Sequence, residues 1–163
     1  MAWLNGQHLK KLADSDYEKL TADFYPDWIQ KMDSERWKKL TRLYRPRIQT
    51  LSELRLKAAC CFEEPTLDPE AAKKYFYDSP NLPKYLKDWI ETLERKTGWA
   101  PAEVESLTRE LAQQLGIQTG ALIHPIRFAL TGSAASPGLF ELMELIGKET
   151  CLRRVKKLLA FGS

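Results

Sequence analysis

The chain has 163 residues and a net charge of +3, with 44% hydrophobic and 29% charged residues. This balance is typical of one ordinary globular domain or two small ones, and it excludes disordered, collagen-like and disulfide-rich proteins. No apolar run approaches the roughly 18 residues that a membrane span needs, and the three cysteines fit no zinc-binding spacing. We therefore expect a cytoplasmic protein with no membrane partner and no metal site.

Apolar residues recur every three or four positions between breaks made by proline and glycine, which predicts helices and no strands. The predicted helices are 34–44, 50–62, 68–75, 82–96, 101–115, 120–130, 139–146 and 148–161. Their predicted stops are Pro46, Gly98, Gly116, Gly132 and Gly147. A polar interruption at 63–66 predicts a boundary between two helical subdomains, 1–64 and 65–163. The expected fold class is all-α.

The first two predicted helices carry the clearest local signals. Residues 34–44 place four apolar side chains on one face: Trp37, Leu40, Leu43 and Tyr44. Thr50 and Glu53 have the spacing of a capping box, in which each side chain satisfies a backbone N–H of the other residue. The apolar positions that follow are Leu51, Leu54, Ala58, Cys61 and Phe62. Adjacent cysteines in such a helix indicate packing and not redox chemistry.

Charge is distributed unevenly along the chain. Residues 1–35 carry −3, residues 36–57 carry +7, residues 58–146 carry −5 and residues 147–163 carry +4. The two basic blocks are either solvated helix faces or the footprint of a polyanion such as nucleic acid. Charge alone does not choose between these interpretations.

The common catalytic motifs are missing. The sequence has no dinucleotide-binding glycine pattern, no P-loop, no H-E-x-x-H and no G-x-S-x-G. His124 has no Ser, Cys or Asp placed by sequence as a partner, so we expect it to pack or to cap a helix. No catalytic residue is predicted.

Two irregular segments have the features of recognition sites. In Arg45-Pro46-Arg47, two guanidinium groups flank a rigid residue inside the most basic block, and arginine offers planar donors that suit phosphates and base edges. Residues 131–140 read TGSAASPGLF, a loop of small residues that opens onto a hydrophobic helix and permits close backbone approach. A pair of solvated arginines and a plain connection remain the alternatives.

Three longer motifs resemble a known family. Residues 124–132 read HPIRFALTG, residues 136–142 read SPGLFEL and residues 145–149 read LIGKE, and together they resemble the C-terminal end of bacterial-type glutamyl-tRNA synthetases. Residues 3–7, WLNGQ, are similar to the element that follows the catalytic half of that family. The resemblance covers nearly the whole chain and is weakest over 63–100.

The resemblance implies a C-terminal fragment with an alternative or artificial start at Met1. It assigns 1–64 to the end of the stem-contact region with the first anticodon-binding helices, and 65–163 to the C-terminal anticodon-binding subdomain. The family's catalytic domain, which uses ATP and Mg, lies outside such a fragment. We therefore expect a monomer that has no cofactor, does not activate glutamate alone and binds the tRNA(Glu) anticodon stem-loop.

The same resemblance implies roles for single residues. Arg47 falls where discriminating members carry an arginine that recognises the third anticodon base, a cytosine in glutamate tRNA and a guanine in glutamine tRNA. Residues matching the family's contacts to the first two bases are Arg127, Ser136, Pro137 and Leu139. The expected phosphate contacts are Arg45, Lys148, Arg153, Arg154 and Lys157.

Two other functions remain open. One is a helical protein-interaction module without an RNA role, which would dock a partner on the apolar residues 137–140. The other is the same region of a non-discriminating synthetase, which also charges glutamine tRNA.

Overall fold

The computed structural model describes the backbone of residues 2–162 and the side chains of residues 6–162. Within that part the chain forms eleven α-helices and three short 3-10 turns with no strand, which confirms the predicted all-α class. The chain divides into two compact units, Met1–Glu63 and Glu64–Ser163. The side chains of Trp3, Leu4 and Asn5 in the predicted WLNGQ element lie outside the described residues. The predicted assignment of the two units to tRNA-contacting regions stays a prediction.

The first unit contains five helices, three of them before the first one predicted from sequence. They are α1 (Ala2–Lys11), α2 (Asp14–Phe24), α3 (Pro26–Ile29), α4 (Ser34–Tyr44) and α5 (Leu51–Ala58), with 3-10 turns at Arg45–Arg47 and Ala59–Cys61. The bounds of α4 match the prediction. Of its predicted apolar face, Trp37, Leu40 and Tyr44 are buried, while Leu43 is half-buried.

Aromatic stacking organises the core of the first unit. The ring of Trp28 stacks on Tyr25 with centroids 5.2 Å apart and on Phe62 with centroids 4.2 Å apart. The Arg55 guanidinium lies 5.4 Å from the Tyr25 centroid and 5.3 Å from the Trp28 centroid. Offset rings at these distances, covered by a cation, hold α3 and α5 together.

The start and end of α5 differ from the prediction in two details. The Thr50 hydroxyl accepts from the Glu53 N–H at 3.4 Å as predicted, but the Glu53 carboxylate accepts from the Gln49 N–H at 3.2 Å, not from that of Thr50. Cys60, not Cys61, is the buried cysteine. Helix α5 ends at Ala58 and the chain continues as a 3-10 turn, so the α-helical spacing used for the prediction does not extend to the two cysteines.

The second unit contains six helices and a final 3-10 turn at Ala160–Gly162. The helices are α6 (Pro69–Asp78), α7 (Leu82–Glu94), α8 (Pro101–Gln114), α9 (Gly120–Thr131), α10 (Leu139–Ile146) and α11 (Lys148–Leu159). Within the described part of the chain, every helix is too short or too polar to cross a membrane.

Buried polar pairs fix how the helices of the second unit pack. The apolar face of α7 is buried and consists of Leu82, Leu86, Trp89, Ile90 and Leu93. The Trp89 indole N–H donates to the Thr108 hydroxyl on α8 at 3.0 Å. That hydroxyl donates in turn to the Val104 carbonyl at 2.7 Å. The Trp99 indole N–H donates to the Met143 carbonyl on α10 at 2.9 Å. Each of these donors thus has a partner, which specifies one arrangement of these helices.

The predicted helix stops are mostly confirmed. Gly116 and Gly132 follow α8 and α9 with φ of 67° and 71°, a left-handed conformation in which a Cβ is strained. The predicted stop at Gly98 is wrong, because α7 ends at Glu94. The chain after it forms a hydrogen bond of the 3-10 type, between residues three apart, from the Lys96 N–H to the Leu93 carbonyl at 3.2 Å. Helix α6 begins at Pro69, one residue after the predicted start, with Asp68 as its cap, and it ends at Asp78, three residues after the predicted end at residue 75.

The two left-handed glycines make a matched pair for a stability test. A Cβ at Gly132 would lie 2.9 Å from the Thr66 carbonyl oxygen, whereas a Cβ at Gly116 meets nothing within 4 Å. We expect Gly116→Ala to cost about 1 kcal/mol of unfolding free energy for conformational strain alone, and Gly132→Ala to cost at least about 1 kcal/mol more. Urea denaturation followed by circular dichroism measures both. Equal losses would contradict a close approach between Gly132 and residue 66.

Candidate nucleic-acid interface

Arg47 lies in the 3-10 turn after α4 with its side chain exposed. One guanidinium nitrogen donates to the Leu43 carbonyl at 2.7 Å, and the Lys57 ammonium donates to the Arg47 carbonyl. Pro46 fixes φ at the centre of the turn. Among residues 6–162, Arg47 has no carboxylate partner. Hydrogen bonds at its own carbonyl and at one guanidinium nitrogen therefore fix the position of Arg47, while its remaining N–H donors face solvent.

Arg45, two residues earlier, has an internal role. Its guanidinium donates to groups around the end of α1 and the start of α2: Leu9 O (3.1 Å), Lys10 O (3.3 Å), Leu12 O and Asp14 Oδ1 (2.8 Å). It also lies 4.5 Å from the Tyr17 ring centroid, and burial raises the pKa of that phenol to about 12. These bonds give the Arg45 guanidinium a structural role, and its predicted phosphate contact stays a prediction.

Other cations of the basic block are paired with carboxylates of the first unit. Arg42 contacts Glu18 at 3.0 Å, Lys38 contacts Glu35 at 3.0 Å and Lys57 contacts Glu53 at 3.1 Å. The +7 segment seen in the sequence is thus partly neutralised on folding. Arg47 differs from these neighbours because its charge is not balanced by an acidic side chain of the described residues.

In the second unit, Arg127 on α9 holds the loop between α9 and α10. One guanidinium nitrogen donates to three oxygens: the Ser136 hydroxyl at 2.6 Å, the Ser136 carbonyl at 3.1 Å and the Pro137 carbonyl at 3.0 Å. The structure therefore brings together three of the four residues predicted to contact the first two anticodon bases.

Short side chains order the rest of this loop. The Thr131 hydroxyl donates to the Arg127 carbonyl at 2.8 Å and accepts from the Ser133 N–H at 3.1 Å, and the Ser133 hydroxyl accepts from the Ala135 N–H at 3.2 Å. Such side-chain turns replace the backbone bonds that a helix would supply. The loop is consequently an ordered surface whose tip, at residues 133–135, is exposed.

The last two predicted base contacts are buried. Pro137 is buried and Leu139 is only 3% exposed, so these side chains pack inward. At the start of α10, the half-buried Gly138 supplies no side-chain cap, and the carboxylate of the exposed Glu141 lies against the Gly138 backbone. Backbone donors beside a carboxylate acceptor match the mixed edge of a base better than they match a phosphate.

Cations on α11 converge on Glu64. Arg153 binds its carboxylate with two bonds of 3.0 and 2.9 Å, and Lys157 lies 3.7 Å away. The hydrogen bond from Arg153 lowers the pKa of Glu64 despite partial burial, and the same bond raises the pKa of Arg153. Arg153 and Lys157 stay more than half exposed, and surface pairs of this kind exchange partners at little cost.

Two further predicted phosphate contacts have structural roles. Arg154 is 4% exposed and donates to the Leu130 carbonyl at 2.8 Å and to Glu64 at 3.3 Å, so its guanidinium is engaged inside the unit, and its phosphate contact stays a prediction. Lys148 donates to the Glu94 carbonyl at 3.4 Å and to the Lys96 carbonyl, where a cation offsets the negative end of α7.

A cleft of about 420 Å³ beside the ordered loop was missed by the sequence analysis. It is lined by Ala71, Lys74, Tyr75, Asp78, Phe128 and Ala134. A smaller cleft of about 210 Å³ shares Tyr75 and Asp78 and extends to His124, which is exposed and not packed as we expected. The spacing of residues 71, 75 and 78, which places them on one helix face, is the signal in the sequence from which this surface could have been found.

The described residues contain no group of three or more His, Cys, Asp or Glu side chains arranged to hold a metal ion.

Comparison with known proteins decides the family. The pattern of the anticodon binding domain family matches residues 9–159. The chain belongs to the anticodon binding domain family. Membership assigns no role to single residues, so the predicted base contacts stay predictions.

Similar proteins cover the whole domain. Glutamate–tRNA ligase 1 of Syntrophomonas wolfei is 34% identical over 166 residues, covering 99% of this chain and 33% of that protein. Glutamate–tRNA ligase of Thermus thermophilus is 33% identical over 162 residues, covering 98% and 34%. This anticodon binding domain chain thus spans about a third of the length of these relatives.

A solved structure supports the fold. The crystal structure of a glutamate tRNA ligase from Elizabethkingia meningosepticum, in complex with its amino acid, superposes with a TM-score of 0.87. The alignment covers 98% of this chain and 31% of that one at 22% identity. It shows that the helical architecture of the anticodon binding domain is shared.

The Glu64 cluster predicts an acid-dependent loss of stability. Because the pKa of Glu64 is lowered in the folded state, its contribution is present above its unfolded pKa and is lost as pH falls through the folded value. We expect Glu64→Gln to lower stability near neutral pH by no more than about 1 kcal/mol, since the pair is partly exposed and screened. Well below the ordinary glutamate pKa of 4.5, the variant and the parent should unfold alike.

Thermal unfolding across a pH series measures this difference. Glu70→Gln is the matched control, because Glu70 pairs with Lys73 at 3.5 Å and is 85% exposed. A Glu64→Gln deficit that persists unchanged at low pH would contradict the ionic origin of the effect.

Proposed function

We propose that this domain recognises the anticodon loop of tRNA(Glu) by reading bases that have been unstacked from one another. RNA sequence is read mainly in single-stranded segments whose bases are splayed out, which suits exposed donors on short turns. The observation that carries the proposal is the exposed Arg47 fork, held from its backbone side and without an acidic partner among the described residues. Membership of the anticodon binding domain family supports it.

Arg47 is proposed to read the third anticodon base. The guanidinium can donate to cytosine O2, whereas guanine presents an amino group, itself a donor, at the corresponding edge. This chemistry favours a cytosine and gives the discriminating type of enzyme, which charges glutamate tRNA and not glutamine tRNA. No contact among the described residues favours the non-discriminating alternative.

The second unit is proposed to read the first two anticodon bases through the ordered loop. Arg127 positions Ser136, whose hydroxyl both accepts and donates in the structure. Pro137 and Leu139 act here by packing inward and thereby fixing the start of α10 next to the loop that carries Ser136. The base contacts then come from backbone N–H groups and the Ser136 hydroxyl.

Phosphate contacts are proposed for Arg153 and Lys157, whose pairs with Glu64 are partly exposed. Lys148 contributes less, because its ammonium is held by the end of α7. Contacts to phosphates release counterions, so affinity falls as salt concentration rises.

The longer protein that contains such a region is proposed to attach glutamate to tRNA(Glu) with ATP and Mg²⁺ in the cytoplasm, as a monomer. The names of the relatives support this activity. The domain described here has no catalytic role in that scheme.

A protein-interaction module without an RNA role has less support. That alternative needs an accessible apolar surface at residues 137–140, but Pro137, Leu139 and Phe140 are buried.

Substitution of Arg47 tests the proposal. We expect the parent to bind an anticodon stem-loop with cytosine at the third anticodon position about ten-fold or more tighter than the guanine version, since one good base contact contributes about 1–3 kcal/mol. Arg47→Gln should abolish most of this preference. Arg47→Lys should keep salt-dependent affinity but lose preference, because it keeps the charge and removes the planar fork. Fluorescence anisotropy over a salt series measures both.

Arg95→Gln is the control, because Arg95 is 79% exposed and its substitution removes the same charge from the second unit. It should leave the preference unchanged. An unaltered preference in Arg47→Gln rules out the role of Arg47, and binding of neither stem-loop by the parent rules out anticodon recognition by this domain.

A further inference from the structure

The cleft between α6 and α9 has the size and lining of a small-ligand site. Its volume of about 420 Å³ lies within the roughly 300–1,000 Å³ usual for ligand clefts. One wall is aromatic: the rings of Tyr75 and Phe128 have centroids 5.3 Å apart and are inclined by 43°. Phe128 is 4% exposed and Tyr75 is half-buried, so the wall is rigid and partly open to solvent. Such a surface stacks flat aromatic ligands.

Two opposite charges stand at this cleft without internal partners. Lys74 and Asp78 are exposed and lie four residues apart on α6. Neither has an ion-pair or hydrogen-bond partner for its side chain in the part of the chain whose side chains the structure describes. A cation and a carboxylate flanking an aromatic wall match a nucleotide, which combines a phosphate with a base edge.

The cleft adjoins the ordered loop. Ala134 belongs to that loop, and Phe128 follows Arg127, the residue that holds the loop in place. Two of the lining residues, Ala71 and Ala134, have small side chains and leave room for a planar group. A nucleotide of the RNA loop that unstacks next to the α9–α10 loop of the protein therefore lies close to this cleft.

We propose that the α6–α9 cleft holds one unpaired base of the bound tRNA's anticodon loop. The base stacks against Tyr75, whose ring is backed by the buried Phe128. The Asp78 carboxylate accepts a hydrogen bond from its amino group, and Lys74 contacts the adjoining phosphate. The occupant is thus a cytosine, adenine or guanine and not a uracil, because only the first three carry an amino donor. This inference rests on the proposed function and adds a base-specific subsite to it.

Filling the cleft tests the proposal. Ala71→Leu adds apolar bulk to the lining without changing charge, and we expect it to weaken binding of the tRNA(Glu) anticodon stem-loop on the order of ten-fold, the effect of losing one stacked base. Stem-loops with an abasic site at each loop position in turn identify the base. One position should weaken binding to the parent and have no further effect on Ala71→Leu.

Ala102→Leu is the matched control, because Ala102 is an exposed alanine in the first turn of α8 and does not line the cleft. It should bind like the parent. If Ala71→Leu binds like Ala102→Leu while the parent still prefers cytosine at the third anticodon position, the cleft proposal is overturned and anticodon recognition stands. If the parent binds no stem-loop, both are overturned.

Asp78→Asn provides a second test that does not depend on tolerance of bulk in the cleft. Because an amide both donates and accepts, the variant should accept uracil at the identified position nearly as well as the original base, whereas the parent should bind the uracil stem-loop several-fold more weakly. Lys74→Gln should weaken the binding of all the stem-loops equally. It should also reduce the slope of log affinity against log salt concentration by about the amount that one phosphate contact contributes. Unchanged base preference in Asp78→Asn would refute the proposed hydrogen bond.

Discussion

The candidate surface of the second unit depends on one guanidinium. Arg127 ties the loop after α9 back to that helix through three oxygens of Ser136 and Pro137. Without this link the loop would have only the short-range bonds of Thr131 and Ser133 to order it. The position of Ala134, and therefore one side of the α6–α9 cleft, follows from that tie. Arg127 therefore positions the loop through its hydrogen bonds to Ser136 and Pro137.

Electrostatics acts in the same way within each unit. The basic blocks of the sequence meet carboxylates on folding, as in Arg42 with Glu18 and Arg153 with Glu64. Most of the block charge therefore stabilises the fold or is screened at the surface. Arg47, Lys74 and Asp78 differ from these paired residues in having no oppositely charged partner within the described residues. Net charge alone does not reveal that difference.

Periodicity and turn chemistry were sufficient to predict the helices from Ser34 onward, because apolar spacing and glycine stops are local properties. The predicted stop at Gly98 was wrong because α7 ends earlier, where the Lys96 N–H donates to the Leu93 carbonyl three residues back. Resemblance pointed to Arg47 and Arg127, but it could not show that Arg154 and Leu139 are buried. Nor could it show the cleft, because that site joins α6 to a loop about sixty residues later and depends on tertiary packing. Side-chain exposure is set by the partners an element meets, which single-sequence patterns do not contain.

The turn that carries Arg47 is fixed before any ligand arrives. Pro46 restricts its backbone, the Lys57 ammonium holds its carbonyl and Leu43 accepts from its guanidinium. The protein therefore loses little conformational entropy at this point on association, and the cost of rearrangement falls on the nucleotides that must unstack. For the proposed function the consequence is kinetic: encounter is governed by how often the RNA loop opens, while the rigidity of the turn prolongs the lifetime of the complex once it has formed.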